Sequence, residues 1–141
     1  MPPTSSVVRA VVLGVATATV VLRLTRAVFL FVSVVGSSME PTLMPGDRVI
    51  AVRRRLARPL RVGDIVVLRD PTAGSRHLIK RVAAMGGMTV PGESGQVVPA
   101  RSLWLLGDGW ESLDSRHFGA VGDDEAVGLV LRRLWSDPRG R

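Results

Sequence analysis

The chain has no cysteine, no tyrosine and a single lysine. Without cysteine there is no disulfide and no thiolate-held metal, in any compartment. Aromatic residues make up only 4% of the chain, so there is little surface for stacking bases, and no nucleic-acid-binding motif accompanies the net charge of +7. That weighs against nucleic acid, the obvious partner of a basic protein, and makes anionic lipid the better one. Of the 19 Lys and Arg residues, all but Lys80 are arginine. A guanidinium stays protonated and cannot take a proton from anything. A lysine can, because burial lowers its pKa, to roughly 5–6 in the extreme. Lys80 lies in His77-Leu78-Ile79-Lys80-Arg81-Val82, among apolar neighbours. It is either a base waiting for burial or an unreplaced surface lysine.

At 141 residues the chain allows one domain and, at most, an anchor. Residues 1–26 read as that anchor. Val7 to Leu22 is apolar except for Arg9, which is short against the ~20 residues of a spanning helix. Arg9 and Arg23 can extend it by reaching toward the two interfaces. A cleavable signal peptide is the rival, but no small-x-small site with a polar stretch follows. Ala27 to Val35 is rich in β-branched and aromatic residues and is expected to be a strand; continuing the helix would place Arg23 and Arg26 in its middle.

Next comes Gly36-Ser37-Ser38-Met39-Glu40-Pro41-Thr42-Leu43. Pro41 biases Glu40 away from the helical region, and Gly36 permits backbone angles other residues resist. Ser38 is therefore expected in a stiff, non-helical turn. Such a turn can aim a hydroxyl at a substrate, although most turn serines only bond their own backbone. Short strands follow: Arg48 to Val52, Ile65 to Leu68, His77 to Ala83, Leu103 to Leu106 and Val127 to Leu131. A helical spacing of Leu131, Leu134 and Trp135 leaves the last of these open. Turns at Pro45-Gly46-Asp47, Val62-Gly63-Asp64 and Asp70-Pro71 separate them, with an arginine-rich connector from Arg53 to Arg61. Closely spaced short strands indicate a mainly β domain over 27–135, with a polar tail at 136–141.

The Ser38-Met39-Glu40-Pro41-Thr42 run resembles the nucleophile box of the type I signal peptidases, the serine/lysine membrane proteases of peptidase family S26. Gly63-Asp64-Ile65-Val66-Val67, Lys80-Arg81-Val82 and Gly107-Asp108 with Ser112-Leu113-Asp114-Ser115-Arg116 to Gly119 resemble three further boxes, in the family's order. The resemblance implies a compact domain of coiled antiparallel sheets behind one transmembrane helix. It implies Ser38 as nucleophile, Lys80 as general base, and the Ser38 backbone N–H as oxyanion donor. Ser112, Asp114 and Arg116 would support the lysine, and Met39 and Pro41 would meet the substrate. Asp114 and Arg116 could equally be an ordinary salt-bridged loop. His77 and His117 receive no role, and no metal or cofactor is called for.

The implied function is removal of signal peptides from exported precursor proteins, at small residues before the cut. The expected location is the cell membrane, crossed once, with the domain on the extracytoplasmic side. Two alternatives stand beside it. One is a maturation protease of the same family dedicated to one precursor, such as nickel superoxide dismutase. The other is an inactive, membrane-anchored β binding module. The chain departs from the family pattern in three ways. Gly36 stands where some relatives carry a serine, Gly109 replaces an asparagine, and the loop before Ser112 is one residue short.

Overall fold

The computed structural model describes residues 4–72, 76–92 and 95–135. The polar tail expected at 136–141 lies outside them. Helix α1 runs over Thr4–Val28, and Ser6–Val28 is apolar enough to cross a membrane, with a mean hydropathy of 2.0 and no part of it buried against the rest of the chain. Its 25 residues span roughly 37 Å at 1.5 Å per residue, above the ~30 Å of a hydrocarbon core.

The strand expected from Ala27 begins instead at Phe29, because the helix continues through Arg23 and Arg26. Two later arginines explain its extra length. Arg53 Nε donates to the carbonyl of Arg26 at 3.0 Å, and Arg55 Nη2 to that of Ala27 at 3.2 Å. Carbonyls in the last turn of a helix lack partners within it, and these guanidinium groups supply them.

Seven strands form one antiparallel sheet: β1 (Phe29–Ser33), β2 (Arg48–Arg53), β3 (Ile65–Arg69), β4 (His77–Met85), β5 (Ser102–Leu106), β6 (Val121–Gly122) and β7 (Ala126–Trp135). Their spatial order is β1-β2-β7-β3-β4-β5-β6, so the last strand of the sequence is inserted between β2 and β3. β7 reaches Trp135, which resolves the helix-or-strand question at Leu131 to Trp135 in favour of strand. The short helix α2 (Ser115–Phe118) was not foreseen; it starts on Asp114, whose side chain accepts from the Arg116 N–H.

The sheet is curled and buries apolar residues on both faces. Val66, Leu68, Val82, Leu103 and Leu105 pack on one side. Val67, Ile79, Val49, Ala51, Met39 and Leu43 pack on the other. A third cluster joins Ala84, Val90, Val98 and Trp104. Central strands covered on both faces read as continuous apolar runs, as Ile65 to Leu68 does. Two segments cross from the sheet to the site: the turn after β1, and the loop between β5 and α2.

Candidate active site

The turn after β1 is rigid for local reasons. Gly36 has φ +85°, a region that suits glycine. The Glu40 N–H donates to the Ser37 carbonyl at 3.0 Å and the Leu43 N–H to that of Met39 at 2.9 Å. Met39 is 1% exposed and sits in the core under Val49 and Ile79, pinning the turn from below. Ser38 is half-buried at its crest. Its carbonyl accepts from the Gly109 N–H at 2.9 Å.

Lys80 stands at mid-strand in β4, opposite Val66 of β3, and is only 1% exposed. Its Nζ donates to Ser112 Oγ at 2.9 Å. In that bond Ser112 is the acceptor. The same hydroxyl is among the groups that lower the Asp114 pKa. A neutral amine held this way gives one N–H to Ser112 and keeps its lone pair uncommitted. Burial is the largest influence on Lys80 and pushes its pKa below the ordinary lysine value. The Asp114 charge opposes that shift and the Arg116 charge adds to it.

Asp114 is fully buried. Burial favours its protonated form. The Arg116 guanidinium, the Gly107 N–H and the Ser112 hydroxyl together outweigh burial and hold it well below the usual carboxylate range. The Arg116 pair is two-pronged, Nε to Oδ1 at 2.9 Å and Nη2 to Oδ2 at 2.8 Å. The Gly107 N–H reaches Oδ2 at 3.0 Å.

Gly107 is where the two halves of the site meet. A Cβ placed there would collide with both the Ser38 carbonyl and Ser112 Oγ. The Ser38 turn and the partner of Lys80 therefore flank one point, and only a residue without a side chain fits between them. Gly109 is equally confined, because a Cβ there would strike the Ser37 carbonyl. The loop thus lies directly on the Ser38 turn, and glycine is the residue that fits at this position.

Arg81 ties the remaining boxes together, a role the sequence reading did not assign. Its Nε donates to Asp108 Oδ1 at 2.8 Å and its Nη1 to the Gly63 carbonyl at 2.8 Å. Its Nη2 also donates to Thr42 Oγ1 at 3.4 Å. Arg81 is thus bonded to the first, second and fourth boxes. The signal was available, since Arg81 and Asp108 both stand in the quoted motifs.

Of the two residues expected to meet substrate, Met39 is core and Pro41 is exposed. Pro41 lines a shallow depression with Glu40, Asp108, Trp110 and Glu111, and Trp110 is 98% exposed on the neighbouring loop. Ser115 accepts from the buried Leu105 N–H at 2.9 Å and serves α2, not chemistry. His117 is exposed, and its Nδ1 accepts from the Asp114 N–H at 3.4 Å, completing the cap of α2. His77 is exposed at the start of β4.

The sequence pattern of signal peptidase, peptidase S26, matches residues 6–97, which include Ser38 and Lys80. Over 113 residues the chain is 39% identical to the mitochondrial ATP-independent inner membrane protease subunit 1b of Arabidopsis thaliana. The match covers 71% of this chain and 66% of that protein. It is 32% identical to subunit 1a of the same plant over 113 residues, 71% of this chain and 67% of the relative. It is 27% identical over 134 residues to the mitochondrial inner membrane protease subunit 2 of Saccharomyces cerevisiae, covering 85% of this chain and 76% of the relative. The match thus spans about two thirds of the plant proteins' own length.

Proposed function

The chain belongs to the signal peptidase family, peptidase S26, and on that premise we propose that it is a membrane-anchored serine endopeptidase that removes signal peptides from exported precursors. The observation that carries the reading is the buried Lys80, bonded to Ser112 Oγ, which faces the Ser38 turn across Gly107. That arrangement leaves a lone pair on an amine whose pKa is lowered, beside the turn that presents Ser38.

In the proposed reaction, Lys80 takes the Ser38 hydroxyl proton as Oγ bonds to the scissile carbonyl carbon. Negative charge gathers on the carbonyl oxygen against the Ser38 N–H, which the Gly109 bond to the adjoining carbonyl helps to orient. Protonated Lys80 then gives its proton to the leaving amine as the peptide bond breaks. Water repeats the step: it loses a proton to Lys80, attacks the acyl-enzyme, and releases the new carboxyl end while Ser38 recovers its proton. Nothing in this cycle uses a nucleotide, which agrees with the description of the plant relatives as ATP-independent. The relatives' names place them at the mitochondrial inner membrane. For this chain we assign the cell membrane, with α1 crossing once and the β domain on the extracytoplasmic side. The precursor lies extended past Pro41 and Trp110.

The test is cleavage of a precursor peptide carrying an Ala-x-Ala site by detergent-solubilised protein, followed by mass, with Ser38→Ala and Lys80→Arg in parallel. Cleavage by the wild type and by neither variant is expected. Cleavage that survives Ser38→Ala would sink the mechanism. If the wild type is silent, reaction of Ser38 with an acylating inhibitor separates a protease dedicated to another precursor from an inactive module.

A further inference from the structure

The exit of α1 carries a cluster of charge that the proteolytic site does not use. Arg53 and Arg55 are fixed to the carbonyls of Arg26 and Ala27 in its last turn. They share one depression with Arg54 and Arg69. The acidic groups there are Asp124, which lines the same depression, and Glu125, which pairs with Arg69 at 3.6 Å. Four guanidinium groups therefore face two carboxylates, an excess of two positive charges. One donor is also left over: Arg54 Nε is buried and has no hydrogen-bond partner among the described residues. A buried donor without an acceptor is costly, and the side chain that carries it lines the depression.

We propose that this depression binds the phosphate of an anionic phospholipid, with Arg54 and Arg69 as its principal donors. Three considerations select that ligand. Guanidinium forks match phosphate oxygens in pairs. The last turn of a membrane-crossing helix lies at headgroup level, so the site and the ligand are at the same depth. And the excess positive charge favours an anionic over a zwitterionic headgroup. Because Arg53 and Arg55 also hold the helix end, a lipid seated here fixes how the sheet stands on the membrane. The proposal rests on α1 lying in a bilayer and is independent of Ser38 and Lys80.

The test uses the full chain reconstituted in nanodiscs of phosphatidylcholine and phosphatidylglycerol, followed by native mass spectrometry of the lipid it retains. The wild type is expected to keep phosphatidylglycerol several-fold above its share of the bilayer. Arg54→Gln/Arg69→Gln is expected to return that ratio to the bulk value, and Arg132→Gln, on a distant part of β7, to leave it enriched. A wild type that retains lipid at the bulk ratio overturns the proposal, as does enrichment that survives the double substitution. Should the double variant fail to fold, Arg54→Gln alone is read in the same way, and undiminished enrichment overturns the proposal. Inorganic phosphate is the last arm. If it displaces the retained lipid at concentrations near those of the lipid, the site belongs to a soluble phosphate and the lipid assignment fails.

Discussion

Lys80 is the one residue whose chemistry and stability pull in opposite directions. Its pKa is lower in the folded chain than in the unfolded one, so the unfolded chain binds more protons between the two values. Burying it therefore costs stability at neutral pH, and that cost fades as pH rises from the lowered value to the ordinary lysine value, above which it is gone. Lys80→Met is expected to abolish cleavage while raising the melting temperature at pH 7, by about 3–5 °C for a gain of order 1 kcal/mol. The gain should shrink as pH is raised, which thermal melts across a pH series would show. On the proposed mechanism activity has the opposite sign from protonation: it needs the neutral amine and rises with pH through the Lys80 pKa. Arg116 bears on that limb twice, since its charge lowers the Lys80 pKa and it also neutralises Asp114, whose charge raises it. Arg116→Met is expected to move the acid limb of the kcat/KM profile to higher pH. An unmoved limb would show that the ion pair does not tune the base.

Among the elements, the loop between β5 and α2 decides the geometry of the site. It supplies Gly107 and Gly109, which touch the nucleophile turn, and Ser112 and Asp114, which hold the base. Gly109→Asn restores the family's residue, yet it is expected to cut kcat at least ~10-fold, because a side chain there strikes the Ser37 carbonyl and overpacking of this kind costs roughly 1–3 kcal/mol. A KM within a few-fold of wild type would locate the loss in the chemistry; an unaltered kcat would mean the loop yields. Arg81→Lys keeps the charge but loses the fork that reaches Asp108 and Gly63 together, and should cost roughly 1–3 kcal/mol in chemical denaturation. At this scale the sequence was legible where residue types are restrictive: the lone lysine, the Ser38 turn and the Asp114–Arg116 pair. It was silent on Gly109, whose meaning depends on a close approach across 71 positions, and on α2, whose four residues are too few for a periodic signal.

For the whole molecule, the mainly β class followed from turns and short apolar runs, but the strand order did not. Insertion of β7 between β2 and β3 is a non-local pairing that no stretch of sequence announces. The end of α1 was misplaced by two residues for a similar reason. The arginines that satisfy its last carbonyls lie 27 and 28 positions later. If α1 spans the bilayer, alkaline carbonate should leave the full chain in the membrane pellet, and release into the supernatant would remove the anchor from the account.

No loop separates α1 from β1: Val28 ends the helix and Phe29 begins the strand. β1 is paired along its whole length with β2, so its direction is set by the sheet. Ser38 follows ten residues after Val28, a tether that cannot exceed ~36 Å even if fully extended. On the proposed function, with α1 in the bilayer, the protein carries its own ruler. The height of the cut above the bilayer is then bounded by the cutter, and a precursor is measured from the membrane surface before its side chains are read. Lengthening the segment between a precursor's apolar core and its cleavage site should abolish processing while leaving the site sequence intact.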